Sequence, residues 1–389
     1  MYKYTTIICF YREKPYYCYL CTGFARRKPR KTIMELYEYA CPEVMDGKKI
    51  LYLHGFASSG QNGSVRTLQT LLPRTVIVAP DIPAEPEEAL PMLRDLCAAE
   101  QPDLIIGTSM GGMYAELLRG YDRILINPAF QLADTLLKNN GLGRHEYHNP
   151  RRDGQTSLLM TKGLLESFRE VSSHCFEGIP SLDPARPEEW NYTEEQQRVF
   201  GLFGIHDSLV HTFDLFAAHY PNAIRFDGEH YMNDSTLLHS VFPLIRRIDD
   251  KQEGRNRKVI HIAWEDVLAD IRNNRPKGKA PLDYEPENSA VKAFRMLAAR
   301  YDLHIICTPP YNRPEQWQDA VRWAEKYLGV EAWGKVICCP RKDLLIGDYL
   351  IDRHPDLYPD FMGTALRYGD DPFRTWEDIL TFFSRLGGQ

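Results

Sequence analysis

The 389-residue chain has no run of about 18 apolar residues, and its mean hydropathy is −0.41, so no membrane-spanning helix is expected. It also lacks a strong charge of either sign: 47 basic and 53 acidic side chains leave a formal charge of −6. Neither nucleic acid nor an anionic membrane is therefore implied as a partner. Cysteine is scarce. Nine irregularly placed thiols make no disulfide scaffold, and a reducing, cytoplasmic setting is expected. Cys18 and Cys21 have metal-like spacing, but no second pair completes a zinc site, and no metal ligand set is expected there. An uninterrupted apolar stretch of about 7–15 residues, which a secretory signal requires, is missing as well. Arg12, Glu13, Lys14 and Pro15 break the opening segment, which is otherwise crowded with aromatics and carries a basic cluster at 26–31. Met45 stands just before the first convincing strand, so residues 1–46 read as an extension of uncertain start.

What is present is a regular alternation. Ile50-Leu51-Tyr52-Leu53, Thr75 to Ala79, Leu104-Ile105-Ile106 and Ile124-Leu125-Ile126 read as short apolar strands. Between them, Val65 to Leu72, Glu87 to Ala99 and the stretch after Gly112 carry helical spacing. Nearly all-apolar strands joined by amphipathic helices predict a parallel sheet covered on both faces, an α/β fold. The length suits two domains. The polar stretch 249–257 reads as the linker, and Val259 to Ala263, His304 to Cys307, Lys335 to Cys339 and Tyr349 to Ile351 predict a second parallel sheet behind it.

The sharpest chemical signal is Gly107-Thr108-Ser109-Met110-Gly111, a G-x-S-x-G sequence lying between a strand and a helix. That context exposes a serine hydroxyl on a tight turn, which makes Ser109 the candidate nucleophile. A hydroxyl needs a base. In the chain order Ser, Asp, His, the loop after Phe203-Gly204 offers Asp207, and the loop after Ala223 to Phe226 offers His230. Asp207 would hold the His230 tautomer while His230 moves the Ser109 proton. The backbone N–H groups of Phe56 and Met110 are the candidate oxyanion donors. His54 is expected to be structural beside that loop, and His206 a neighbour of the acid.

His54-Gly55-Phe56-Ala57-Ser58-Ser59-Gly60, the Gly107 to Gly112 segment, Ile126-Asn127-Pro128-Ala129 and Gly228-Glu229-His230 resemble the bacterial YqiA/YcfP group of α/β-hydrolases. The likeness covers roughly residues 48–248, within a domain set at 47–248. It implies an α/β-hydrolase fold, esterase-like chemistry without a cofactor, and the Ser109, Asp207 and His230 assignment. By composition, residues Leu132 to Gln197 fit a lid or side wall and equally fit loops and surface helices. The part from 258 to 389 resembles the HAD-like 5′(3′)-deoxyribonucleotidases, a second Rossmann-type α/β domain, through Trp264 to Asp270, Cys307-Thr308-Pro309-Pro310, Lys342-Asp343 and Gly347 to Asp352.

That second resemblance implies an aspartate nucleophile at 263 and an acid/base aspartate at 265, but this chain has Ala263 and Glu265. It assigns phosphate contact to Thr308 and Lys342, and an acidic magnesium region to Asp348 and Asp352, with Arg353 where another aspartate is usual. Alanine cannot form an aspartyl-phosphate, and Arg353 opposes a divalent cation. The domain is thus expected to be non-catalytic, without magnesium, keeping a nucleotide or phosphate as its candidate ligand. The leading reading is a serine hydrolase acting on a small-molecule ester or thioester. The alternatives are a ligand-sensing or interaction protein, and an atypical magnesium-dependent nucleotide phosphatase using Glu265, Asp348 and Asp352. Oligomeric state is open at this level.

Overall fold

The structure is a computed structural model that describes residues 40–182, 191–272, 284–308 and 315–386. Cys18, Cys21, the basic cluster at 26–31, Pro184, Pro187, Pro309 and Pro310 lie outside the described residues.

The first domain is built on a six-stranded sheet of β1 (Lys49–Leu53), β2 (Val76–Val78), β3 (Leu104–Thr108), β4 (Arg123–Ile126), β7 (Val199–Gly204) and β8 (Asn222–Phe226). Their order is β2-β1-β3-β4-β7-β8 and every pairing is parallel. The run of apolar residues in each strand has a direct cause. Side chains alternate across the sheet, so Leu51, Leu53, Ile105 and Leu125 enter a core on one face while Ile50, Tyr52, Ile106 and Ile124 enter another on the opposite face. Chain order reverses at β1/β3, which places the carboxyl ends of those strands at the crevice where open α/β sheets hold ligands.

Between β4 and β7 the chain leaves the sheet. Helix Leu132–Asn139, an antiparallel hairpin of β5 (Gly143–Glu146) and β6 (Ser157–Met160), and helix Lys162–Ser173 form a side wall. Leu136, Leu164, Leu165 and Phe168 fasten this wall to the first core, so it is packed structure.

The second domain has five strands: β9 (Val259–Ala263), β10 (Asp302–Cys307), β11 (Val336–Cys338), β12 (Tyr349–Asp352) and β13 (Thr364–Arg367). Their order is β11-β10-β9-β12-β13, again all parallel. Helices Ala290–Ala298, Glu315–Tyr327 and Trp376–Arg385 cover it, with Phe294, Trp323 and Trp376 fully buried in its core. β13 escapes the sequence pattern because it is an edge strand in which Leu366 alone is buried.

The stretch 249–257 is more ordered than its composition suggests. Helix Phe242–Gln252 continues into it, and Asp249 is fully buried between Lys48 at 2.7 Å and Arg255 at 2.5 Å. The domains also touch beyond the chain crossing: Arg246 pairs with Glu331 at 2.8 Å, and Val330 joins the core of the first domain. Among the described residues no helix is long and apolar enough to cross a membrane.

Candidate active site

Ser109 sits at the turn between β3 and helix Met110–Leu117 with φ 55° and ψ −114°, a conformation that L residues adopt only under constraint. Two glycines make the turn sterically feasible. A Cβ at Gly107 would lie 2.2 Å from the Gly111 carbonyl oxygen, and one at Gly111 would lie 2.1 Å from the Leu53 oxygen. Helix and strand therefore approach more closely than any side chain allows, and the Ser109 hydroxyl is carried above the ends of the strands.

His230 Nε2 lies 3.1 Å from Ser109 Oγ, and His230 Nδ1 lies 2.7 Å from Asp207 Oδ2. With Nδ1–H donating to the carboxylate, Nε2 is left as an acceptor for the serine proton. Burial works against ionisation of Asp207. The hydrogen bond from His230 and the N–H groups of Val210 and Leu209 outweigh it and hold the carboxyl below its ordinary pKa. His230 and Asp207 are both buried, while Ser109 is partly open.

Met110 is the first residue of its helix, so its N–H has no intrahelical acceptor. The His54–Phe56 loop runs beside it: a Cβ on Gly55 would be 3.4 Å from Ser109 Cβ. His54 anchors that loop as a neutral imidazole, its Nδ1–H donating to Gly55 O at 2.8 Å and its Nε2 accepting from Ile82 N at 3.0 Å. Burial pushes its pKa down to about 4. His206 is exposed and pairs with Asp227 at 3.0 Å, away from Ser109. The side wall reaches the same loop, because His148 N donates to Ala57 O at 2.8 Å and Asn149 Nδ2 to Ser58 Oγ at 3.1 Å.

Asn127 is a positioning residue that motif reasoning passes over. At φ 45°, its amide donates to Glu229 O at 3.0 Å and His230 O at 3.2 Å, and its Oδ1 accepts from Gly204 N at 2.8 Å. One buried side chain thus ties the end of β4 to the two loops that carry Asp207 and His230. Replacing Asn127 with alanine is expected to lower kcat on the order of 10²-fold with KM little changed, since small displacements of a reacting group cost about that much. Steady-state kinetics on an activated ester checks the split; an equal change in KM alone would contradict a positioning role.

In the second domain, Ala263, Thr308 and Asp352 meet at the carboxyl ends of β9, β10 and β12. Glu265 Oε1 accepts the Thr308 N–H at 2.5 Å, and among the described residues its Oε2 is buried without a hydrogen-bond partner. Burial pushes the Glu265 pKa up, opposed by the nearby Lys342 charge and the Thr308 N–H. Lys342 Nζ is bound to Asp352 Oδ2 at 2.6 Å, with both side chains almost fully buried. Arg353 turns to the Asp266 carbonyl at 2.5 Å and to Glu287 at 3.3 Å.

Asp348 has to be taken out of this group. It accepts the Val259 N–H at 2.7 Å at the amino end of the sheet, and the whole of β12 separates it from Asp352. The residues present do not fit a magnesium ion. Ala263 brings no side-chain oxygen, Glu265 accepts the Thr308 N–H, and Asp352 is paired with Lys342. Lys342→Ala would strand a buried carboxylate, and urea unfolding of the full chain is expected to show a loss of about 3–5 kcal/mol.

Comparison with known proteins divides the chain in the same way. Residues 49–162 match the uncharacterised protein family UPF0227, and residues 280–380 match the family of cytosolic type C 5′ nucleotidases, deoxy (pyrimidine). A protein of Vibrio phage KVP40, named as a 5′(3′)-deoxyribonucleotidase, is 28% identical over 164 residues, which is 38% of this chain and 96% of its own. A Staphylococcus epidermidis protein with the same name is 23% identical over 171 residues, 39% of this chain and 93% of its own. Among solved structures, Est1E from Butyrivibrio proteoclasticus is 16% identical, covers 55% of this chain and 91% of its own, and has a TM-score of 0.34. The N-acyl homoserine lactonase AidH, complexed with N-butanoyl homoserine, is 11% identical over 54% of this chain and 92% of its own, with a TM-score of 0.33. The N-terminal part is thus UPF0227-like and the C-terminal part nucleotidase-like.

Proposed function

We propose that this chain, UPF0227-like in front and nucleotidase-like behind, is a serine hydrolase that cleaves a carboxylic ester or thioester through an acyl-enzyme. The observation that carries the reading is the hydrogen-bonded relay from Ser109 Oγ to His230 at 3.1 Å and on to Asp207 at 2.7 Å, mounted on a strained turn. Ser109 Oγ attacks the carbonyl carbon as His230 Nε2 takes its proton. The Met110 and Phe56 N–H groups receive the negative charge that forms on the carbonyl oxygen. His230 then delivers the proton to the departing alcohol or thiol. Water enters, gives its proton to His230, attacks the acyl carbon and releases the acid with Ser109 restored. No metal or cofactor takes part in this sequence. The direct test is intact-mass spectrometry after fluorophosphonate treatment, where one adduct per chain supports the reading and none on the folded protein defeats it.

The second domain is read as non-catalytic toward phosphate esters, because no carboxylate stands at 263 to accept a phosphoryl group and Glu265 fills the Thr308 N–H. Deoxynucleoside monophosphates incubated with the protein and magnesium are expected to release no phosphate above a buffer control. Release that disappears in a folded Lys342→Ala variant would restore the phosphatase alternative.

A further inference from the structure

A second recess lies away from Ser109, where helix Phe242–Gln252 and the chain crossing at 255–259 meet the start of β10 and the turn at 330–335. Its volume is about 530 Å³, within the roughly 300–1,000 Å³ range of small-molecule sites. Its charged lining consists of Arg246, Arg247, Arg255, Arg257 and Lys335 against Asp250, Asp302 and Glu331, so positive charge is in excess.

The pairing of these charges singles out one residue. Arg246 is bound to Glu331 at 2.8 Å, Arg255 to Asp249 at 2.5 Å, Arg257 to Asp250 at 2.6 Å, and Lys335 to Asp302. Among the described residues Arg247 has no carboxylate within ion-pair distance. Its guanidinium instead lies 5.1 Å from the centre of the Trp333 ring and 6.0 Å from that of Phe200. Arg247 is exposed at the open side of the recess, where partial desolvation lowers its pKa and the more distant Asp302 acts the other way. The two rings flank a guanidinium that has no anion of its own, and an arginine fork in that state can take a phosphate by paired hydrogen bonds. Tyr301, Leu303 and Pro243 give the rest of the recess an apolar wall that a bare ion would leave unfilled.

We propose that this interdomain recess binds a small organic phosphate monoester, with its phosphate on Arg247 and its organic body against Tyr301 and Leu303. The site draws on both domains: Arg247 comes from the first, and Trp333, whose ring lies beside it, from the second. It shares no residue with the Ser109 machinery and does not depend on the esterase reading.

The test is calorimetric titration of the full chain with phenyl phosphate, inorganic phosphate and benzoate. Saturable binding of phenyl phosphate is expected, weakened about 10–100-fold in Arg247→Met, as loss of a hydrogen-bonded charge implies. Arg247→Lys, which keeps the charge and loses the fork, is expected to fall between the two. An unchanged thermal unfolding midpoint and an unchanged circular dichroism spectrum show that the variants are folded. Inorganic phosphate binding as tightly as phenyl phosphate, and equally sensitive to Arg247→Met, would keep the anion site and overturn the organic ligand. Benzoate binding as tightly as phenyl phosphate would overturn the choice of phosphate. No saturable binding, or binding indifferent to Arg247→Met and lost in Lys342→Ala, would overturn the site itself.

Discussion

Ser109→Ala is expected to abolish fluorophosphonate labelling and to lower kcat on an activated ester by roughly 10⁴- to 10⁶-fold, the range seen when a serine hydrolase loses its nucleophile. The size of the effect follows from the relay. His230 and Asp207 are already placed to remove a proton from one atom, and alanine leaves them with nothing to activate. Binding should suffer far less, because the Met110 and Phe56 N–H groups and the side wall do not depend on the hydroxyl. The methyl group fits within the space of the serine side chain, so the variant should fold, and circular dichroism before labelling verifies this. An adduct of unchanged stoichiometry on Ser109→Ala would place the reactive nucleophile elsewhere and remove the basis for the hydrolase mechanism.

The second large effect is expected at Asp207. Asp207→Asn keeps the size of the side chain but can present an N–H to His230 Nδ1, which favours the tautomer with its proton on Nε2, facing Ser109. A fall of about 10⁴ in kcat is expected for that reversal, measured at saturating ester and accompanied by slower fluorophosphonate labelling. A fall of less than tenfold would mean that Asp207 is a structural acid and that the base is oriented by something else. Asp207 also ties stability to pH. Its pKa is lower in the folded chain than the unfolded value of about 3.9. Its contribution is therefore fully present above that unfolded value and is lost as pH falls through the folded one.

The parts of this site that were legible in the sequence are those in which local geometry and chemistry coincide. Gly107 and Gly111 flank Ser109 because backbone passes within contact distance of both, so spacing alone reveals the turn. Asp207 and His230 each follow a short apolar strand, and a parallel sheet delivers such loops to one edge. Asn127 could not be read in this way, because its partners lie 77 to 103 residues further along the chain and its positive φ leaves no compositional mark. The resemblance to the nucleotidases places Asp348 with Asp352 in one acidic region, whereas an extended strand carries the two carboxylates to opposite ends of the sheet. The stretch 249–257 reads as a linker in the sequence because it is polar and lacks an apolar anchor. Its charges are matched by Lys48, Arg255 and Arg257, a pattern that becomes apparent once residue 48 is brought beside residue 249.

Val330 gives the two halves a shared piece of apolar core. It is carried by the second domain yet belongs to the apolar core behind the first sheet, next to the Arg246–Glu331 pair. The chain crossing is therefore not a hinge between finished bodies. Val330 shares one apolar cluster with Leu244, Ile245 and Ile248 of helix Phe242–Gln252 and with Ile106 and Ile126 of the central strands, so the packing runs from the second half to the sheet that carries Ser109. Cutting the chain at the crossing would leave each fragment with an uncovered apolar face in place of a neighbour.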